Sequence, residues 1–523
     1  MSTTLRAISS AIVFLAGCMP LHSQPMDAKQ IDALAERAMK AFDVPGLALA
    51  VVKDGNLTYA NGYGVRSVNA PNELVDTNTL FGIASVTKAF TAAALGILVD
   101  QGKLKWDDKV KDYIPDFVMY DPYVTREFTI RDLLAHHSGL ARGAGELMQD
   151  PSPTTFTTSE IIHSLRYFKP QSSFRTQFAY SNIMYIVAGE VIARVSGMTW
   201  DEFIDTRILV PLQMRQSRPN HRLILANPNV IRPHSKINGK VHVVTHDDDE
   251  VADPAAGIFS SANDMSRWMI MQMNDGKYGD GLNMRLFSQA VHNEMWTPQT
   301  IVPVTGTSVY NTHFGAYGLG WFLIDAAGYE EVFHTGGDTG MSSAVVMIPE
   351  LKLGIVVLAN EDSAIGLSVA NQILDSYLNI SGTDHVAERL EKQKAREHAD
   401  APAKDVNGQM VSETQVKSRR GDSMYSGVYE DVWFGNVFVT LEKGGLWFRS
   451  ERSPLFAGPL LPFKENEFLA KWTNAVVLFK LNQKGIPARL TFKPLSTGSS
   501  PYFGDLDFHR QGSSKYSGKP TIK

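Results

Sequence analysis

The sequence predicts an α+β domain followed by a small all-β barrel. Three observations lead there. Apolar, β-branched runs stand near both ends of the first part of the chain, a helical middle lies between them, and an aromatic stretch of alternating residues and Gly turns follows a charged segment. The chain has 523 residues, 44% of them hydrophobic and 20% charged, the balance of an ordinary globular protein with room for more than one core. Net charge is −5 and no long basic run occurs, so the electrostatic footprint expected of a nucleic-acid binder is missing.

The N-terminus reads as a targeting segment. Met1 to Arg6 carries one positive side chain, and AISSAIVFLAG follows. That run is too short to span a bilayer comfortably but suits the apolar part of a secretory signal. LAGC, Leu15 to Cys18, resembles a bacterial lipobox, in which the cysteine is lipidated and becomes the new N-terminus. The alternative is an ordinary signal cleaved near His22–Gln24. The expectation is a signal over 1–18 and a protein exported to the cell envelope, tethered to the membrane through Cys18. Each buried methylene of such an anchor contributes about 0.8 kcal/mol. Cys18 is the only cysteine, so no intramolecular disulfide can form.

Beyond the signal, DAKQIDALAERAMKAF places Ile31, Leu34, Ala35 and Ala38 on one helical face. LALAVVK and LTYANGYGV flank Asp54–Gly55–Asn56, a β-hairpin signal. A helix is expected to open at Ser85 and end near Gln101, with Gly102 as its C-terminal cap. Residues from about 103 to 330 read as helices and long loops. SSAVVMI and LGIVVLAN then return as strands, and IGLSVANQILDSYL has helical spacing. The two ends of this domain, 27–382, are expected to meet in one antiparallel sheet with helices packed on it. Residues 383–422 read as an exposed charged helix and a linker. Residues 423–511, opening with MYSGVYEDVWFGNVFVTLEKGGLWFRS, read as the barrel, and 512–523 as a flexible tail.

The chemistry is expected from three short motifs. In GIASVTKAFTAA a serine, Ser85, is followed three residues later by Lys88, which a helix places on the same side. A serine at a helix start has backbone N–H groups beside its Oγ. An ammonium among apolar residues has a lowered pKa, which makes it a usable base near neutral pH. The plainer reading is a surface lysine next to a capping serine, but VTKAFTAAALGIL is apolar on every side. The second motif is Tyr180–Ser181–Asn182 ahead of a helix. Asn182 is either only a cap or, with Tyr180, part of one cleft, where Tyr180 shuttles a proton and Asn182 donates to the substrate. The third is His334–Thr335–Gly336–Gly337, whose glycines permit close backbone approach and leave an N–H for an oxyanion.

Taken together, these motifs resemble the serine penicillin-recognising family, on the branch of class C β-lactamases, D,D-peptidases, D-aminopeptidases and esterases. FGIASVTKAFTAAALGILVDQGKLKWDDKV, LLAHHSGL and PAAGIFSSANDM add to the likeness, which covers about Ile31 to Leu378. The resemblance implies a β-lactamase-like fold with no cofactor or metal. It implies that Ser85 is the nucleophile, with Lys88 and Tyr180 taking its proton. Asn182, His334, Thr335 and Gly336 would bind substrate, and the N–H groups of Ser85 and Gly337 would hold the oxyanion. The C-terminal unit resembles the lipocalin-like domain fused to many members. Where many relatives carry Lys-Thr-Gly, this chain has His334, mostly neutral near pH 7. The expected substrates are therefore short peptides, D-residue-containing ones included, or esters. A β-lactamase or D,D-carboxypeptidase and a silent peptidoglycan-peptide binding protein are the rival readings.

Other signals carry less. His136 and His137 read as structural. His234, His242 and His246 with Asp247–Asp249 invite a metal reading, yet a turn at Asn238–Gly239 would send His234 and His242 to opposite faces. No G-x-S-x-G or H-E-x-x-H is present, which argues against an α/β-hydrolase or a zincin.

Overall fold

The computed structural model describes residues 24–246, 250–305, 308–399, 421–442, 445–495 and 502–511. The signal over 1–18 with Cys18, Asp247–Asp249, the linker over 400–420 and the tail over 512–523 lie outside the described residues.

An eight-stranded antiparallel sheet forms the core of the first unit, and two of its neighbouring strands come from opposite ends of that unit. The strands are β1 (Gly46–Lys53), β2 (Asn56–Gly64), β3 (Thr300–Ile301), β4 (Gly315–Tyr317), β5 (Phe322–Ala326), β6 (Tyr329–Asp338), β7 (Met341–Ile348) and β8 (Leu353–Ala359). Their order is β2-β1-β8-β7-β6-β5-β4-β3, with Leu47 opposite Ala359 where the two ends meet. The β1–β2 turn is Asp54–Gly55, both left-handed. Three short strands at one end of the sheet, β3 to β5, lie in the stretch expected to hold only helices and loops. Their runs are two to five residues long, too short for alternation to stand out in the sequence.

β1, β7 and β8 are apolar along almost their whole length because the sheet is covered on both faces. Leu47, Leu49 and Val51 face one core with α1 (Ala28–Phe42), while Ala48, Ala50 and Val52 face another with α2 (Thr87–Asp100) and α3 (Asn182–Ser196). The expected face of α1 is the buried one, Ile31, Leu34, Ala35 and Ala38. Helix α2 is buried on all sides from Thr87 to Leu98, and Phe90 stacks on Trp268 at 3.7 Å. It starts later than expected: Ser85 stands in a single 3-10 turn, Ala84–Val86, and the α-helix begins at Thr87. Gly102 is left-handed just past its end. Helix α4 (Ile365–Leu378) packs on the first face, and the charged helix α5 (His385–Ala399) lies against it with Val386 buried.

The C-terminal unit is a closed eight-stranded antiparallel barrel running from Gly427–Asp431 to Phe508–Arg510. Its first and last strands pair through Glu430 and His509, which closes it. The inside is filled by side chains: Phe448, Phe456, Phe468, Phe479, Phe492 and Phe508 are buried and touch ring to ring. One apolar core runs without interruption from the first unit into the barrel. Phe168 meets Trp433 edge-on at 5.0 Å, and Phe156 meets Phe434 at 5.8 Å.

Candidate active site

Ser85 is presented by a turn that the sheet grips from below. Ala84, just before it, adopts a left-handed φ of 45°, a conformation that an L-residue holds only when its surroundings impose it. The grip is visible: Ser343 Oγ donates to the Ile83 carbonyl at 2.7 Å, and Ile83 N–H donates to Ile258 O at 2.9 Å. Strand β6 closes in from the same side. A Cβ on Gly336 would stand 2.2 Å from Ile83 O and 2.4 Å from Ser343 Oγ. That glycine is therefore required by packing of the chain against itself. Gly337, in contrast, is exposed, and a Cβ there would meet nothing nearer than Asp362 Oδ1 at 4.0 Å.

Lys88 is wholly buried. Its Nζ donates to Ser85 Oγ at 3.1 Å, to Asn182 Oδ1 at 2.7 Å and to the Ala255 carbonyl at 2.9 Å. Its nitrogen also lies 4.8 Å from the Tyr180 ring centre and 5.4 Å from that of Tyr185. Burial brings its pKa down to about 7, opposed in part by the Glu146 carboxylate. An ammonium has three N–H donors and here has three acceptors. A neutral amine keeps two donors, which Asn182 and Ala255 take, and turns its lone pair to the Ser85 hydroxyl.

The Tyr-Ser-Asn motif closes around this amine, so the structure brings Ser85, Lys88, Tyr180 and Asn182 together. Asn182 opens α3 and, with Oδ1 held by Lys88, leaves its amide N–H groups for a ligand. The Tyr180 hydroxyl is buried and makes no hydrogen bond. Burial pushes its pKa well above the usual phenol range, while the nearby Ser85 hydroxyl pulls the other way. His136 lies under Tyr180 with ring centres 4.1 Å apart, and its Nδ1 accepts from Ser181 N–H at 3.1 Å. Burial, reinforced by the Lys88 charge, holds His136 neutral, so its proton sits on Nε2.

His334 is also buried and neutral, its pKa brought down to about 3 by burial and by the Lys88 charge. Nδ1 donates to Thr335 O at 2.7 Å, and Nε2 accepts from the Tyr317 hydroxyl at 3.1 Å. Thr335 is half-buried and Gly336 buried. The carboxylates of Asp338 and Asp362 stand beside the Gly337 end of the strand, where burial and the Asp338 charge raise the pKa of Asp362.

Sequence reasoning missed the Ala255 carbonyl, Tyr185, Tyr317 and Glu146, and it set His136 aside. Ala255 and His136 fall in PAAGIFSSANDM and LLAHHSGL, two segments that carried the resemblance. The others have no local signal. His137 is held by Asp132 at 2.7 Å and Thr300 at 2.8 Å, as a structural residue would be. The Asn238–Gly239 hairpin pairs Ser235 with His242 and His234 with Val243. His234 is buried on Val68 N–H and Asn360 O, His242 is exposed, and His246 stacks on His221 at 4.4 Å. Among the described residues no group of three or more His, Cys, Asp or Glu is arranged to hold a metal ion, and no helix is long and apolar enough to cross a membrane.

Comparisons with known proteins place the chain in a family and a fold. The β-lactamase family model matches residues 31–375, and a domain of unknown function, DUF3471, matches 418–511. The chain is 27% identical to the unguisins hydrolase ungD' of Aspergillus campestris, over 68% of this chain and 66% of that one. The chain thus spans just under two thirds of that relative's length. It is 29% identical to the unguisins hydrolase ungD of Aspergillus violaceofuscus, over 68% and 67% of the two chains. With protein flp of Staphylococcus aureus the identity is 26%, over 70% of each. The octameric penicillin-binding protein homologue from Pyrococcus abyssi superposes with a TM-score of 0.61 at 21% identity, covering 89% of this chain and 98% of that one, a likeness of fold. The chain belongs to the β-lactamase family, the penicillin-binding-protein-like serine hydrolases.

Proposed function

We propose that this protein hydrolyses esters or amides of short peptides, D-residue-containing ones included, through an acyl-enzyme on Ser85. One observation carries the reading: a fully buried Lys88 Nζ lies 3.1 Å from Ser85 Oγ while two other acceptors occupy its remaining N–H groups. Neutral Lys88 takes the Ser85 proton as Oγ attacks the carbonyl carbon. The oxyanion is received by the N–H groups of Ser85 and Gly337, each worth about 3 kcal/mol of barrier. Tyr180 passes the proton to the departing alcohol or amine. Water then attacks the acyl carbon, gives its proton back through Tyr180 and Lys88, and releases the acid and free Ser85.

Substrate preference is read from charge. Neutral His334 gives no fixed positive partner for a substrate carboxylate, and two carboxyl groups, Asp338 and Asp362, lie beside Gly337, the second with its pKa raised by burial and by the Asp338 charge. Neutral or cationic groups fit that end of the cleft better than a penicillin carboxylate does. The hydrolase names of the Aspergillus relatives support a hydrolytic reaction. We further infer export to a bacterial cell envelope, with an acylated Cys18 as the membrane anchor. Mass spectrometry of the mature N-terminus, alongside Cys18→Ala, tests the anchor: an unmodified Cys18 would remove it.

The enzymatic reading is tested with p-nitrophenyl esters, D-aminoacyl anilides and a chromogenic cephalosporin on wild type and Ser85→Ala. The expected result is turnover of the esters or anilides, with a fluorophosphonate adduct on Ser85, both lost in Ser85→Ala. Much faster cephalosporin hydrolysis would overturn the substrate class, and turnover that survives Ser85→Ala would overturn the nucleophile.

A further inference from the structure

Two loops are joined on either side of Tyr180, and a single residue makes the joint. His136 O accepts from Ala179 N–H at 2.8 Å, and His136 Nδ1 accepts from Ser181 N–H at 3.1 Å. Both chain neighbours of the tyrosine are therefore held by one histidine. Its ring also lies against the Tyr180 ring, with centres 4.1 Å apart and planes inclined at 34°. Tyr317 at 4.6 Å, Tyr185 at 5.3 Å and Phe178 at 5.7 Å pack around the same imidazole.

His136 is fixed in its turn. The Thr300 hydroxyl, on the end strand β3, bonds to the Ala135 carbonyl at 2.7 Å and to His137 Nδ1 at 2.8 Å, the residues before and after it. Farther along the two loops, His137 O accepts from Arg175 N–H at 2.9 Å, and Gly139 O accepts from Gln171 and Ser172 N–H at 2.9 and 3.1 Å. Stability does not account for a histidine at this place. Its φ of 53° is left-handed, an uncommon backbone for any residue but glycine. Its Nε2–H is buried without a hydrogen bond, which costs free energy. What the imidazole supplies is an acceptor at Nδ1 and a flat face. Burial and the Lys88 charge keep it neutral, so the acceptor stays available.

We propose that His136 is a positioning residue for the acyl-transfer site, whose carbonyl, Nδ1 and ring together clamp Tyr180 where its hydroxyl passes a proton to the leaving group. The proposal rests on the roles of Ser85 and Tyr180 given above. The Tyr180 hydroxyl makes no hydrogen bond, so its place is set by the backbone and ring contacts of that residue. A small displacement of a catalytic group is enough to slow the reaction strongly.

The test compares kcat/KM, which reads acylation, for the p-nitrophenyl and ethyl esters of butyric acid on the full-length protein. p-Nitrophenolate leaves without a proton, whereas ethoxide must be protonated as it departs. His136→Leu removes both acceptor and ring. His136→Asn tolerates the left-handed backbone and keeps an acceptor for Ser181 N–H, but has no ring. His136→Leu is expected to lose about ten- to a hundredfold on the ethyl ester and about threefold or less on the p-nitrophenyl ester, as Tyr180→Phe should. His136→Asn should fall between it and wild type. Added to Tyr180→Phe, His136→Leu should cost the ethyl ester no further rate, because the two residues act as one unit. If His136→Leu does not fold, His136→Asn carries the comparison, with about a three- to tenfold loss confined to the ethyl ester. Equal losses on both esters, or wild-type values on both, would overturn the clamp. A Tyr180→Phe enzyme that slows both esters alike overturns the proton role of Tyr180, and turnover retained in Ser85→Ala overturns the nucleophile. The clamp alone falls where those two variants behave as proposed and the His136 variants do not.

Discussion

Lys88 Nζ and Ser85 Oγ stand 3.1 Å apart inside a shell that leaves the lysine no solvent contact. Because burial lowers the Lys88 pKa to about 7, and because only the neutral amine can take the serine proton, activity should rise with pH. On a neutral ester, kcat/KM is expected to climb tenfold per pH unit well below 7 and level off above it. Lys88→Ala should lose about 10²–10⁴-fold in rate and the rising limb with it. A pH–rate profile of the two proteins checks both.

Tyr180→Phe separates chemistry from stability. The Tyr180 hydroxyl is buried and makes no hydrogen bond, so its removal strands no partner and relieves a desolvated polar group. The variant is expected to melt at or above the wild-type temperature while kcat falls about 10²-fold. Thermal melts and ester kinetics read the two effects independently.

The two adjacent glycines should respond oppositely to the same methyl group. Gly336→Ala places a Cβ 2.2 Å from the Ile83 carbonyl, backbone that cannot step aside without moving Ser85. Overpacking of that kind costs about 1–3 kcal/mol, and activity should be lost with it. Gly337→Ala meets only Asp362 Oδ1, at an unstrained 4.0 Å, and should melt as wild type does. Denaturation curves on the pair test the difference.

Asp132 anchors the loop that carries His136. It accepts from His137 at 2.7 Å, from Arg175 at 2.8 and 2.6 Å, and from the Thr129 N–H and hydroxyl at 2.8 and 2.7 Å. Burial opposes its ionisation, yet these donors hold its carboxyl well below the usual carboxylate range. The lowered value means the stabilisation is complete above the unfolded pKa of 3.8 and fades as pH falls towards the folded value. Asp132→Ala should cost about 3 kcal/mol at pH 7, and the gap from wild type should narrow below about pH 4. Urea curves at the two pH values measure it.

The parts of the site legible in the sequence are those where neighbours along the chain share the task. Ser85 and Lys88 are three apart on one helical path, and Tyr180 and Asn182 flank one residue before a helix. Each pair leaves a local pattern. The Ala255 carbonyl, Tyr317 and Glu146 reach the site only through tertiary packing, and a backbone carbonyl has no signature in residue identity at all. Gly336 was legible as a glycine needing close approach, but what approaches is Ile83 of the same chain. In the fold, β1, β7 and β8 were readable because they are buried on both faces and uniformly apolar. The strands β3 to β5 were not, being only two to five residues long, too few for alternation to show.

The unbroken apolar core between the catalytic unit and the barrel has a thermodynamic consequence. Phe156 and Phe168 complete their packing only against Phe434 and Trp433, so neither half keeps a dry interior when the other opens. The two units should unfold together, in one cooperative step, and a chain cut between them would present a fresh, sticky face where a shared seam had been.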